Sequence, residues 1–118
     1  MIRPSGTALQ IHICRKAVDF RKQVNGLSSI IQHQLEHNPM SGQLFVFLNR
    51  KKDKIRILHW ERNGYVLYGK YLEEDRFFLP KGNGELTSIT LEQLNWLIDG
   101  VDISLIKPHP ERNYDLES

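Results

Sequence analysis

Apolar positions along the chain follow two rhythms. Ala8 to Cys14 alternates, with Leu9, Ile11 and Ile13 on one face and Gln10 and His12 on the other, the period of a strand. From Phe20 to about His37 the spacing lengthens to threes and fours (Phe20, Val24, Leu27, Ile30, Ile31, Leu35), which predicts one long helix with a single apolar face. Asp19 stands where it can cap that helix, Gly26 weakens it, and Asn38, Pro39, Ser41 and Gly42 end it. Leu44 to Leu48 is an unbroken apolar run, short enough for a strand covered on both faces. Lys54 to Trp60 alternates again, Asn63-Gly64 signals a tight hairpin, and Tyr65 to Leu72 returns as the next strand. Arg76 to Leu79 reads as a short edge strand stopped by Pro80, and Leu86 to Ile89 as a brief extended piece. Thr90 with Gln93 three residues on is a capping box for a last helix, whose stripe is Leu91, Leu94, Leu97 and Ile98 and whose stop is Gly100.

The order is β-α-β-β-β-(β)-α. It predicts an α+β domain: an antiparallel β-meander sheet with one long N-terminal helix and one C-terminal helix packed on one face. A single domain is expected over residues 1–106. Residues 107–118 are polar, carry Pro108 and Pro110, and read as a flexible tail.

A two-residue turn at Asn63-Gly64 sorts the hairpin side chains. One face carries Lys54, Arg56, Leu58, Trp60, Arg62, Tyr65, Leu67 and Tyr71. The other carries Ile55, Ile57, His59, Val66, Tyr68, Lys70 and Leu72, and suits packing on the helices. The first face mixes cations with rings, as single-stranded nucleic-acid platforms do. The loop before it adds Arg50, Lys51 and Lys52. From Arg50 to Arg62 only Asp53 and Glu61 oppose six cations, enough to neutralise a few phosphates. The same pattern also describes a solvated hairpin whose long basic side chains protect a sheet edge. A second basic group, Arg15, Lys16, Arg21 and Lys22, surrounds Asp19. Cations at a helix start oppose its dipole, so they either serve binding or precede the true start.

Composition narrows the remaining chemistry. With 118 residues, 40% hydrophobic and 25% charged, the chain is an ordinary globular domain, and a net charge of +2 matters only where it is clustered. Its one cysteine, Cys14, lies in an apolar strand and reads as a small buried hydrophobe in a reducing compartment. No segment reads as a signal peptide or a membrane span, so the expected location is the cytoplasm. His33-Gln34-Leu35-Glu36-His37 matches H-x-x-E-H, whose histidines would share a helix face and could chelate zinc. No third ligand is assignable, and two exposed histidines at a helix end explain the pattern equally. Gly82-Asn83-Gly84 lacks the Lys-Ser/Thr of a phosphate loop, the aspartates fall at turns, and nothing orders a catalytic triad. No cofactor is called for.

Three blocks carry a family likeness: Asp19-Phe20-Arg21-Lys22 followed by Asn25-Gly26-Leu27, the long run Asn38 to Glu73, and Thr90 to Leu94 followed by Asp99 to Asp102. In order and spacing, from Ala8 to Asp102, they resemble the small accessory proteins encoded by the second reading frame of bacterial insertion sequences of the sixty-six family. Leu58-His59-Trp60 stands where that family more typically has two adjacent tryptophans, and Gln23-Val24 replaces a glycine-led pair. The resemblance implies a role in DNA transposition beside a separate, larger transposase subunit and a second small accessory protein. It supplies no catalytic residue. The residues themselves supply the contact surface: Arg50, Lys51, Lys52, Lys54, Arg56, Trp60, Arg62, Tyr65 and Tyr71, with Arg21 and Lys22, facing DNA or the transposase. A pure protein–protein adaptor anchored by Trp60, Tyr65 and Tyr71, and a small zinc hydrolase, are the competing classes.

Overall fold

The unbroken apolar run Leu44–Leu48 is buried at every position because it is the middle strand of a five-stranded sheet. The computed structural model describes residues 9–102. The strands are β1 (Ile11–Cys14), β2 (Leu44–Leu48), β3 (Lys54–Glu61), β4 (Gly64–Tyr71) and β5 (Leu86–Ile89), arranged β4-β3-β2-β1-β5. The helices are α1 (Val24–Ser29) and α2 (Leu91–Ile98). The order of elements is the expected one. The expected boundary at 106 and the tail at 107–118 lie outside the described residues.

The sheet is mixed, not the antiparallel meander expected. β1 runs parallel to β2, with Ile11 opposite Leu44 and Ile13 opposite Val46, while every other pairing is antiparallel. Parallel neighbours need a long crossover, and the chain between Cys14 and Leu44 provides one. The crossover carries α1 to one face of the sheet, whereas α2 lies on the other. The two helices therefore sandwich the sheet instead of sharing a face. Leu27, Ile30, Ile31 and Leu35 pack on Phe45, Phe47 and Leu58. Leu94, Leu97 and Ile98 pack on Ile11, Ile13, Leu44, Val46, Leu48, Ile55 and Ile57. Burying each of these aliphatic side chains contributes about 1.5–3 kcal/mol.

The long N-terminal helix is also corrected. α1 has six residues and passes into a π-helical turn, Ile30–Gln34, in which Leu35 N donates to the carbonyl of Ile30 at 3.0 Å. Phe20 lies before the helix because β3 holds the preceding backbone: Arg56 Nη1 donates to the carbonyls of Phe20 at 2.9 Å and Lys22 at 2.8 Å. Gly26 permits the tight return, since a Cβ there would stand 2.8 Å from Lys22 Cβ. Asp19 caps no helix; its Oδ1 accepts from Arg21 N at 2.9 Å in a local turn. The basic cluster around Asp19 thus precedes the helix start.

The hairpin turn is Arg62-Asn63, with Arg62 at φ 58° and Glu61 opposite Gly64. Trp60 pairs with Tyr65 and Lys54 with Tyr71, a slip of two residues from the expected register. A slip of two preserves which side chain faces which way. Arg76 to Leu79 forms no strand. Phe77 N donates to the carbonyl of Lys52 at 2.7 Å, and the Phe77 ring is buried in the core under α2. Leu86–Ile89 is the strand instead, antiparallel to β1. The capping box is present: Thr90 Oγ1 accepts from Gln93 N at 3.1 Å, and Gln93 Oε1 from Thr90 N at 2.9 Å. Gly100 at φ 79° ends α2, and Lys70 Nζ donates to the carbonyl of Ile98 at 2.8 Å. Leu91, placed on the apolar stripe by its spacing, is 45% exposed.

Candidate nucleic-acid interface

Turn chemistry builds one wall of a cleft at the open end of the hairpin. Between β2 and β3, Asn49 Oδ1 accepts from Lys54 N at 3.0 Å and its Nδ2 donates to Asp53 Oδ1 at 2.7 Å. Lys52 takes φ 61° and its N donates to the carbonyl of Asn49 at 3.1 Å. The loop so fixed carries Arg50 and Lys51 outward, and both are exposed. The opposite wall is the segment Ala17 to Arg21. Here the Arg21 guanidinium closes on the Asp19 carboxylate at 2.6–3.1 Å. Lys54, Arg56 and Tyr71 line the cleft from the adjacent ends of β3 and β4.

The cleft measures about 600 Å3. It gathers five cations, Arg21, Arg50, Lys51, Lys54 and Arg56, against two acids, Asp19 and Asp53. These cations are not equivalent. Arg21 is committed to Asp19, whose carboxyl is held down at about 2 chiefly by that bond, while Arg21 itself is pushed up. Arg56 is spent on two carbonyls, on the Phe20 ring at 4.7 Å and on the Tyr71 hydroxyl, to which Nη2 donates at 3.3 Å. Lys54 Nζ stands 5.3 Å from the Tyr71 ring centre. Arg50 and Lys51 have no ion pair among the described residues. The Asn49 bond holds the Asp53 carboxyl below the ordinary carboxylate range, and the Arg56 bond, then its charge, lowers the Tyr71 phenol. A phosphate in this cleft would meet Arg50, Lys51 and Lys54 as its donors, and the 57%-exposed ring of Tyr71 beside them.

The expected surface is split. Trp60 and Tyr65 form an edge-to-face pair, centroids 4.9 Å apart, at the turn end of the hairpin, about 20 Å from Lys54 at strand rise. Between the two ends, Leu58 and Leu67 sit under the α1 side of the core. Arg62 is exposed at the turn. The carbonyl of Lys52 holds Phe77 and that of Lys22 holds Arg56, and the side chains of Lys52 and Lys22 do not line the cleft. Asn49, Asp53 and Phe20 were not among the residues expected in the contact surface. Asn49 and Asp53 flanking a basic loop carried the turn signal; nothing in the sequence marked Phe20 as the ring beneath Arg56.

The two histidines of H-x-x-E-H do not share an α-helical face. The π-helical turn ends at Gln34, and Glu36 at φ 57° turns the chain before His37. His37 Nδ1 lies 2.8 Å from the carbonyl of Leu35. Among the described residues no three His, Cys, Asp or Glu side chains stand together as a metal site. Cys14 is buried, and burial pushes its thiol up, away from reactivity.

The fold and cleft define a three-layer α+β protein with a basic recess at one end of its sheet. Residues 9–108 match the family described as IS66 Orf2 like protein, and the chain belongs to that family. Two relatives come from Sinorhizobium fredii. Uncharacterized protein y4jC is 32% identical over 110 residues, covering 93% of both chains. Uncharacterized protein y4hO is 31% identical over 99 residues, covering 84% of this chain and 86% of its own. No solved structure matches the chain. No helix among the described residues is long and apolar enough to cross a membrane.

Proposed function

We propose that this chain is a non-catalytic accessory protein of DNA transposition, working in the cytoplasm beside the element's transposase and a second small accessory protein, and that its basic cleft contacts DNA. Family membership supports the transposition role. The observation that carries the contact is the recess lined by Arg50, Lys51 and Lys54, in which the remaining cations, Arg21 and Arg56, are already engaged. Arg50 and Lys51, which have no ion pair among the described residues, are suited to phosphates.

The test is retention on element-end DNA across a salt series, with and without the transposase. Replacing Arg50, Lys51 and Lys54 by Ala should weaken retention and lower the log–log salt slope by about 0.9 for each phosphate no longer neutralised. Retention unchanged by the triple substitution rejects the cleft as the DNA-binding surface. The separation of Trp60 and Tyr65 from the cleft favours a second contact, with protein, at the turn end of the hairpin. Trp60→Ala should then reduce transposase binding and leave DNA retention intact.

A further inference from the structure

Resting on that DNA contact, we infer that the cleft receives an unpaired stretch of a DNA strand, its phosphates against Arg50 and Lys51 and one base on the ring of Tyr71. Shape is the first argument. Duplex is read by elements that protrude into a groove, the major groove being about 12 Å wide. Here the cations line a recess. The element that does protrude, the turn from Glu61 to Gly64, offers Arg62 beside an acid. At about 600 Å3 the recess falls in the range of small-ligand clefts, with room for a nucleotide or two.

The ring is the second argument. Tyr71 is the largest exposed aromatic surface in the cleft, 57% open, at the end of β4. Its edge is fixed by the bond from Arg56 and Lys54 stands over it, so it is a held platform. Unpaired bases stack on such rings without regard to sequence, and phosphates on either side reach nearby cations. A base inside a duplex is stacked on both sides and offers no free face. Arg50 and Lys51, exposed on the neighbouring loop, supply those cations.

The experiment is fluorescence anisotropy with the full chain and a labelled thymidine oligonucleotide about fifteen residues long, a length within known single-strand sites. A duplex of equal length is the second probe and thymidine monophosphate a competitor. The single strand should bind at least about tenfold more tightly than the duplex. Tyr71→Ala should weaken the single strand by about five- to 150-fold, the span of one stacked base, and weaken the duplex far less. Tyr71→Phe, which keeps the ring and loses only the bond from Arg56, should weaken the single strand far less than Tyr71→Ala. Equal affinity for both probes with a silent Tyr71→Ala overturns this inference while the DNA contact survives. Absence of binding to either probe overturns both. Displacement by the monophosphate at matched nucleotide concentration overturns the strand in favour of a free nucleotide.

Discussion

Arg56 Nη1 donates to the carbonyl of Phe20 at 2.9 Å while the same guanidinium lies 4.7 Å from the centre of the Phe20 ring. A residue that sequence places in a binding surface is thus a clasp between β3 and the chain leading into α1. Hydrogen bonds from charged groups contribute about 1.5–3 kcal/mol. Arg56→Ala should therefore lower unfolding free energy by about that amount, read from urea denaturation. Arg56→Lys should recover little, because an ammonium cannot reproduce a planar fork bonded to two carbonyls and stacked on a ring.

The Tyr71 phenol should titrate below its ordinary value of 10, because Arg56 bonds and faces the phenolate and Lys54 stands nearby. Absorbance titration of the folded chain checks this. Arg56→Gln should move the transition upward, and Lys54→Gln by less, since Lys54 contributes only charge.

His12 makes stability sensitive to mild acid. Its ring is 7% exposed, stacked 5.4 Å from Phe45, with Nε2 bonded to Gln43 Oε1 and the His37 ring 5.1 Å away. Burial lowers its pKa below 6.5, the His37 charge adds to this, and the Gln43 bond opposes it. The unfolded chain therefore takes up this proton first. Stability holds above about pH 6.5 and falls as pH drops through the folded value. Denaturation midpoints measured from about pH 7.5 down to pH 5 should decline, and His12→Gln should flatten the slope. An unchanged slope in that variant would remove His12 as the source.

His59 is 3% exposed on the α2 face of β3, and among the described residues neither ring nitrogen has a hydrogen-bond partner. A buried polar group left unsatisfied costs about 1–3 kcal/mol. His59→Leu should stabilise the fold toward that extent in chemical denaturation. A loss of stability would mean the imidazole contributes more by packing than its nitrogens cost.

Much of this arrangement was written locally. Thr90 and Gln93 named the start of α2, and the two-residue period of the hairpin named its faces even though the turn lies at Arg62-Asn63. The run Leu44–Leu48 already required cover on both faces, which contradicts two helices on one face. The helix start was hidden because it depends on Arg56, a long-range partner of Phe20 and Lys22. The cleft was hidden for the same reason. Its walls belong to segments that only the β1–β2 crossover brings together, and sequence spacing cannot say that Arg21 is neutralised by Asp19 while Arg50 has no such pair among the described residues.

β1 becomes an interior strand only when β5, arriving late in the chain, adds to its free side. A ribosome that stops short of Leu86 would release a product whose Ile11–Cys14 backbone has half its ladder vacant. Such an apolar edge recruits copies of itself. Nonsense mutations upstream of Leu86 should thus yield insoluble protein instead of a shortened working one, and reporter fusions inserted there should aggregate.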